Sequence, residues 1–412
     1  MQVGAAVENS LRTSNFPGQF KHLFTYCRNR GDEVVALAEN QKTTSAAVGV
    51  VRYPLGRGNN PDMHPWAQEF ESKVIRAEAA AKAAQQLKEA GFEPDVILGH
   101  PGWGETLLLK AVFPKAKLVC LMEYFYRAEG FDMGFDPEFS KPSLEEHARL
   151  LSKNANLLLA MEAMDYGVSP TPFQASTMPD WVKGKLRVIH EGVDTALCKP
   201  DAQAVIELPD RGVSVRAGDE VLTFVVRNLE PVRGYHIFMR ALPEIMARRP
   251  DLKVFIVGGD GVSYGSRPES GSYRARYLSE VAAWLDPKRV FFLGKVPHNI
   301  FVRLMQVTRC HVYLTYPFVL SWSVLEAMSC GALVVGSRTA PVTDVIKDHD
   351  NGLLVDFFDT EGLAAKVCEV LENPKAYESL RRRARETVLE RFDLETVSLP
   401  AYAQLLDDAS AL

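Results

Sequence analysis

Short apolar runs alternate with longer stretches of helical period along almost the whole chain. In the first half, strands are predicted at "EVVALA" (33–38), "DVILG" (95–99), "KLVCLM" (117–122), "NLLLAM" (156–161) and "LRVIH" (186–190). Between the first two lies "HPWAQEFESKVIRAEAAAKAAQQLKEAGF", an Ala-rich helical stretch closed by Gly91. The second half repeats the pattern, with strands at "VLTFVVR" (221–227), "KVFIVGG" (253–259), "RVFFLG" (289–294), "HVYLTY" (311–316) and "ALVVGS" (332–337). Continuous Val, Ile, Leu and Phe strands separated by helices predict parallel sheets covered on both faces. The opening "QVGAAVENSLR" is a poor strand, so the first element is not defined by the pattern.

Between the halves, "KPDAQAVIELPDRGVSVRAGDE" (199–220) is broken by Pro, Asp and Gly and holds no period, which reads as a linker. The expected architecture is α/β, with two Rossmann-like parallel-sheet domains facing a central cleft. Residues 1–198 form the first domain, 199–385 the second, and 386–412 a helical tail that packs back on the first. Ligands of open parallel sheets bind outside the carboxyl ends of the strands. Candidate chemistry is therefore sought there.

Composition narrows the classes. The 412 residues exceed one ordinary core, and 47% hydrophobic with 24% charged content is that of a soluble globular protein. A formal net charge of −5 argues against a nucleic-acid partner. The six scattered cysteines form no C-x-x-C pair, which predicts buried thiols in a reducing compartment and no zinc site. With no signal-peptide pattern at the start and no apolar run near the ~20 residues of a membrane helix, a cytoplasmic location is expected. The basic run "LRRRARETVLERF" reads first as a solvated helix face; peripheral association with an anionic membrane is the second reading.

At the strand ends, "VVRNLEPVRG" sets Arg227 and Arg233 beside a helix start, where two guanidiniums and free backbone N–H groups suit a diphosphate; solvated loop charges are the alternative. Gly258 and Gly259 close the next strand, as turn glycines or as room for a ligand against the backbone. The loop "VSYGSRPESGS" after them is a surface loop or a lid. In "TYPFVLSWSVLEAMSCG", Ser323 and Glu326 fit an S-x-x-E capping box, while Glu326 could equally bind paired ribose hydroxyls and Ser321, Trp322 and Ser323 offer N–H groups to phosphate. In the first half, "DVILGHPGWGE" ends a strand with His100, structural or functional, and "KLVCLMEYFYRAEGFDMGFDPEF" ends one with Glu123 ahead of a Phe- and Asp-rich loop.

Taken together, these segments resemble the retaining GT-B glycosyltransferases of family four. "VIHEGVDTALCKP" is similar to the family's domain-junction segment, and "RNLEPVRG" to its R-x-L-x-P-x-K-G, with Arg233 in place of lysine. "VFIVGGDG", "VFFLGKVP" and "SVLEAMSCGALVVGSRTAPVTDVIKDHDNGLLVD" follow in family order. The resemblance implies a UDP- or GDP-sugar donor on the second domain, with Arg227 and Arg233 on its diphosphate and Glu326, the second acid of an E-x7-E motif, on the ribose. Phe318 stands where the first acid would contact the transferred sugar, and Glu123 where many relatives have histidine. "SNFPGQFKHL" is similar to the glycine loop, with Gly18 approaching the diphosphate. The expected acceptor is a carbohydrate, a lipid-linked molecule or a protein.

The activity expected is transfer to an acceptor hydroxyl with retention, the departing diphosphate itself helping to take the proton. No cofactor is implied. No D-x-D motif stands at a strand end, so no essential divalent ion is expected. The rivals are a nucleotide-sugar epimerase or hydrolase, a non-catalytic nucleotide-sugar-binding protein, and an adaptor without nucleotide binding.

Overall fold

The computed structural model describes residues 7–8, 18–39, 49–139 and 143–411. It divides into two compact units, Met1–Gly192 with Glu395–Leu412, and Val193–Leu394.

In the first unit the strands are β1 (Val7–Glu8), β2 (Val35–Ala38), β3 (Gly49–Arg52), β4 (Val96–Gly99), β5 (Lys117–Leu121), β6 (Tyr166–Ser169) and β7 (Leu186–Val188). All pair in parallel, in the order β3-β2-β1-β4-β5-β6-β7. The short first strand thus occupies the middle of the sheet, where its neighbours supply the pairing that its sequence does not advertise. The helices are α1 (Lys21–Asn29), α2 (Gln68–Glu89), α3 (Leu109–Val112), α4 (Leu144–Ala163) and α5 (Pro172–Ser176).

Residues 156–161, predicted as a strand, lie inside α4. A six-residue apolar run does not distinguish a buried strand from a helix segment. Here Ser143 caps the helix through the Glu146 N–H, and Leu150, Asn154, Leu157 and Met161 recur at helical spacing on its buried face. Asn154 is satisfied by both backbone groups of Tyr126 and Asn156 by the Pro101 carbonyl, so two buried amides fix the register of α4.

The second unit opens with an antiparallel hairpin, β8 (Val205–Leu208) and β9 (Val213–Arg216), inside the stretch read as a linker. Its Pro, Asp and Gly punctuation is the turn itself, at Pro209–Gly212, and Ile206 and Val215 turn into the core. Then follow β10 (Val221–Asn228), α6 (Tyr235–Arg248), β11 (Lys253–Gly259), α7 (Tyr273–Val281), β12 (Val290–Gly294), α8 (His298–Val307), β13 (Cys310–Tyr313), α9 (Trp322–Ser329), β14 (Leu333–Ser337), α10 (Ala340–Thr343), β15 (Leu353–Val355), α11 (Thr360–Glu372) and α12 (Glu378–Phe392). The parallel sheet runs β12-β11-β10-β13-β14-β15, so chain order reverses between β10 and β13. That reversal is where the loops leaving two neighbouring strands diverge and leave a crevice.

The unit boundaries fall at 192/193 and 394/395, where the sequence suggested 198/199 and 385/386. Val193 bridges to Asp393, and the Thr195 hydroxyl donates to the Asp393 carboxylate at 2.5 Å, which ties both ends of the second unit together. The last helix, α13 (Leu399–Ser410), belongs to the first unit, where Arg30 pairs with Asp407. In α12 the arginine run is largely engaged internally. Arg385 donates to the Cys198, Ser329 and Thr195 carbonyls, Arg381 to the Arg309 carbonyl, and Arg383 lies against Glu386. No helix of the described residues is long and apolar enough to cross a membrane. All six cysteines are buried and free.

Candidate functional site

In the second unit the site grows from the two strands at the reversal. β10 ends with Arg227 exposed and Asn228 buried. The chain then makes one tight turn, Pro231–Arg233, and enters α6 through Gly234 at φ 68°, with Leu314 so near that a Cβ would lie 2.3 Å from its own. This close approach carries Arg233 under the exit of β13. Its guanidinium, in a residue only 6% exposed, donates through Nη1 to Thr315 Oγ1 at 2.9 Å and to the Val319 carbonyl at 2.8 Å. Its Cζ stands 5.3 Å from the Tyr264 ring centroid and 5.8 Å from that of Phe318. The two rings meet edge to face at 4.9 Å.

Arg233 is therefore a buried cation held by neutral oxygens and aromatic faces. No carboxylate forms an ion pair with it among the described residues. The nearby buried acid, Glu230, accepts instead from the Ser263 and Tyr264 N–H groups at 3.1 and 3.0 Å. Burial pushes that carboxyl upward, against the pull of these N–H groups and of Arg233 and Arg227. The start of the Gly/Ser-rich loop is thus pinned by Glu230 and by Asn228, which donates to Ser263 Oγ at 2.6 Å.

Phe318 is 3% exposed and acts as a wall of the Arg233 pocket. Gly258 and Gly259 have packing reasons of their own: a Cβ would lie 2.8 Å from Leu229 Cδ2 at the first and 2.6 Å from Asn228 Oδ1 at the second.

At the start of α9 the predicted capping box does not form. Ser321 is the N-cap, its Oγ accepting from the Ser323 N–H at 3.3 Å, so Ser323 already lies inside the helix. The Ser321 N–H donates to Tyr313 Oη at 2.8 Å, which joins the helix start to the Arg233 pocket, since Arg233 Nη1 is 3.5 Å from the same oxygen. Trp322, 43% exposed, begins the helix. Released from capping, Glu326 accepts from His298 Nε2 at 2.6 Å and lies 4.0 Å from Cys198 Sγ.

The first unit assembles a separate polar cluster at the ends of β4 and β5. Nδ1 of His100 accepts from the Gly102 N–H at 3.0 Å, so the neutral ring carries its proton on Nε2, 3.3 Å from Glu123 Oε2. Gln19 donates to Glu123 Oε1 at 3.2 Å, and Gln174 donates to the Glu123 carbonyl at 2.8 Å. The carboxylate keeps a third of its side-chain surface exposed. Such an imidazole–carboxylate pair can orient or deprotonate a hydroxyl. Gly18, at φ 48°, adjoins Gln19; the rest of the glycine-loop segment, residues 14–17, lies outside the described residues. In the Phe- and Asp-rich loop, Asp132 accepts from Tyr124 Oη and Arg127 donates to the Thr177 carbonyl.

Comparison with known proteins meets this geometry. The family model for glycosyl transferases group 1 matches residues 209–387, and that for the glycosyl transferase family 4 group matches residues 30–198. The chain belongs to the group 1 glycosyltransferases. It is 28% identical over 237 residues to D-inositol 3-phosphate glycosyltransferase of Nocardioides sp., covering 55% of this chain and 50% of that one. The namesake from Kribbella flavida is 26% identical over 77% of this chain and 70% of its own. The chain thus spans about half the length of the first relative and more of the second. Among solved structures, Anabaena HepE in complex with UDP-glucose superposes with a TM-score of 0.68 at 17% identity, covering 100% of both chains. This likeness places the two parallel-sheet units in the GT-B fold.

Within this glycosyltransferase, Arg233, Phe318, Ser321 and Ser323 come together around Tyr313 and Tyr264, while His100 and Glu123 pair in the first unit. Sequence reasoning missed Tyr264, Tyr313, His298 and Cys198 in one unit and Gln19 and Gln174 in the other. His298 carried a faint signal, standing just after the Pro that opens a helix beyond a predicted strand. Cys198 carried none, because a thiol in a junction segment resembles any other buried cysteine.

Proposed function

We propose that the chain transfers a glycosyl group from a UDP- or GDP-sugar to an acceptor hydroxyl, with retention at the anomeric carbon and without an essential divalent ion. The observation that carries this reading is Arg233, a buried guanidinium at the topological reversal that forms no ion pair with a carboxylate among the described residues. A diphosphate would supply a direct anionic partner, with Arg227 exposed at the neighbouring strand end and the N-terminus of α9 adding N–H groups. Charge growing on the leaving diphosphate would be stabilised by these fixed groups without reorganisation at the moment of reaction. Glu326 would take the ribose hydroxyls, and Phe318 would leave the transferred sugar without the carboxylate contact that an acid there would give. His100 and Glu123 would hydrogen-bond the acceptor hydroxyl or the reacting sugar.

The donor and acceptor to try first follow from the relatives. UDP-glucose is the ligand named for HepE, and inositol phosphate, a polyol, stands in the names of the two curated relatives. Titration of UDP and GDP against the thermal midpoint tests the donor site. A ligand at a hundred times its dissociation constant stabilises by about 2.7 kcal/mol. One nucleotide is expected to raise the midpoint by several degrees, and Arg227→Ala is expected to lose that shift. No shift with either nucleotide sinks the reading. Incubating the donor with and without inositol phosphate then separates transfer from hydrolysis, and the anomeric configuration of the product tests retention.

A further inference from the structure

One cluster in the second unit joins Glu326 to two ligating groups, Cys198 and His298, that the donor reading does not use. Cys198 Sγ, His298 Nε2 and a Glu326 carboxylate oxygen all lie within 4.8 Å of one another. They come from three separate segments: the junction before β8, the first residue of α8 and the middle of α9. As the protein stands, a proton holds the cluster together, since His298 donates to Glu326 at 2.6 Å. The Cys198 thiol donates to that same oxygen across a longer 4.0 Å, so both neighbours already converge on one carboxylate oxygen.

From this convergence we infer that the protein binds one Zn²⁺ ion, or a cation of like softness, through Cys198 Sγ, His298 Nε2 and Glu326, with water in the fourth position. Thiolate and imidazole donors select a borderline-soft metal, and a set with only one hard oxygen is poor for Mg²⁺ or Ca²⁺. Tetrahedral zinc holds such atoms roughly 3.3–3.8 Å apart, so the His298–Glu326 pair must open by under about 1 Å. One thiolate and one carboxylate balance the divalent charge. When the metal enters, the thiol proton leaves to solvent and the imidazole proton moves from Nε2 to Nδ1, so the ring stays neutral.

The approach is graded. Cys198 is fully buried, the Glu326 side chain is 17% exposed and that of His298 is 54% exposed, so a cation meets the imidazole first and the thiol last. The buried end is rigidly supported. Arg385 and the Ser329 hydroxyl both donate to the Cys198 carbonyl. Phe301 stacks on His298, with ring centroids 5.8 Å apart.

The consequence rests on the donor reading given above: zinc on Glu326 occupies the carboxylate that would hold the ribose. Metal and nucleotide then exclude one another, and zinc acts as an inhibitor bound in the donor half.

The test uses the whole chain, stripped with a chelator, with Zn²⁺ titrated against a chromogenic chelator and Co²⁺ added as a spectroscopic probe. The expected result is one equivalent of Zn²⁺ retained, with Mg²⁺ not competing, and a thiolate-to-cobalt charge-transfer band. Cys198→Ser abolishes the band, and His298→Ala weakens retention at least roughly tenfold. His298 is exposed, so its variant folds, and the circular dichroism of both variants checks this. No retained equivalent, no thiolate band in the native chain, or affinity unchanged in both variants overturns the site. UDP binding is measured separately on zinc-free protein and with zinc present. If zinc-free protein fails to bind UDP, the donor reading falls and the metal site stands on its own data.

Discussion

Glu105 shows how one buried side chain ties stability to pH. It is 1% exposed, accepts from Tyr53 Oη at 3.1 Å through one oxygen, and leaves Oε2 without a partner among the described residues. Burial pushes its carboxyl up to about 7, against the opposing pull of hydrogen bonds and of Arg76. The folded chain therefore keeps a proton that the unfolded chain gives up near the ordinary carboxylate value. That contribution is complete below about 4.5 and is lost as pH rises through about 7. Between pH 5 and 8 the loss is on the order of 3 kcal/mol, and Glu105→Gln, which needs no proton, is expected to flatten it in urea titrations. His311 works in the opposite sense. Burial lowers it to about 4, so the folded chain keeps it neutral and its contribution declines as pH falls from about 6.5 towards 4. Equal pH dependence in the native chain and Glu105→Gln would show that the carboxyl is not the source.

Among the elements, the turn between β10 and α6 does most to place the donor-side groups. Gly234 is there because only a residue without Cβ can take φ 68° while lying against Leu314. Gly234→Ala is expected to cost about 2 kcal/mol or more, combining left-handed strain with a clash against a buried side chain. It should also shift Arg233, which stands one residue before it, so nucleotide binding should weaken beyond what the stability loss explains. Denaturant midpoints read the first effect and a UDP titration at low temperature the second. The start of α9 follows a similar logic, since capping by Ser321 is what frees Glu326 to meet His298.

At the scale of the molecule, the chain builds one Rossmann-like sheet, then a second, and returns to complete the first. α13 buries Leu399, Tyr402, Leu405 and Leu406 in the first unit and adds the Arg30–Asp407 pair. Ending the chain after Leu394 removes that cover. Four large apolar side chains at roughly 1.5–3 kcal/mol each exceed the usual margin of a domain. Hydrogen exchange in such a truncated chain is expected to accelerate in β4 and β5 while β10 and β13 remain protected. Uniform loss of protection in both sheets would show that the two units do not unfold separately.

Periodicity and punctuation alone indicated two wound parallel sheets and the long helix at 68–89, and located the strands that lead into Arg227, Arg233, His100 and Glu123, while β1, β3, β6 and β15 carried no run that they picked out. These are local properties, set by which residues can be buried on both faces of a strand and by where turns break the run. Three things were decided only by tertiary structure. The apolar run at 156–161 became helix because Asn154 and Asn156 found backbone partners at helical spacing. The supposed linker became a hairpin because Ile206 and Val215 had a core to enter. Arg233, Tyr264 and Phe318 became one pocket, and Cys198, His298 and Glu326 one cluster, because parallel crossovers bring distant loops to the same end of a sheet. No local period encodes that convergence, since it depends on strand order, and strand order is fixed only when the whole sheet packs.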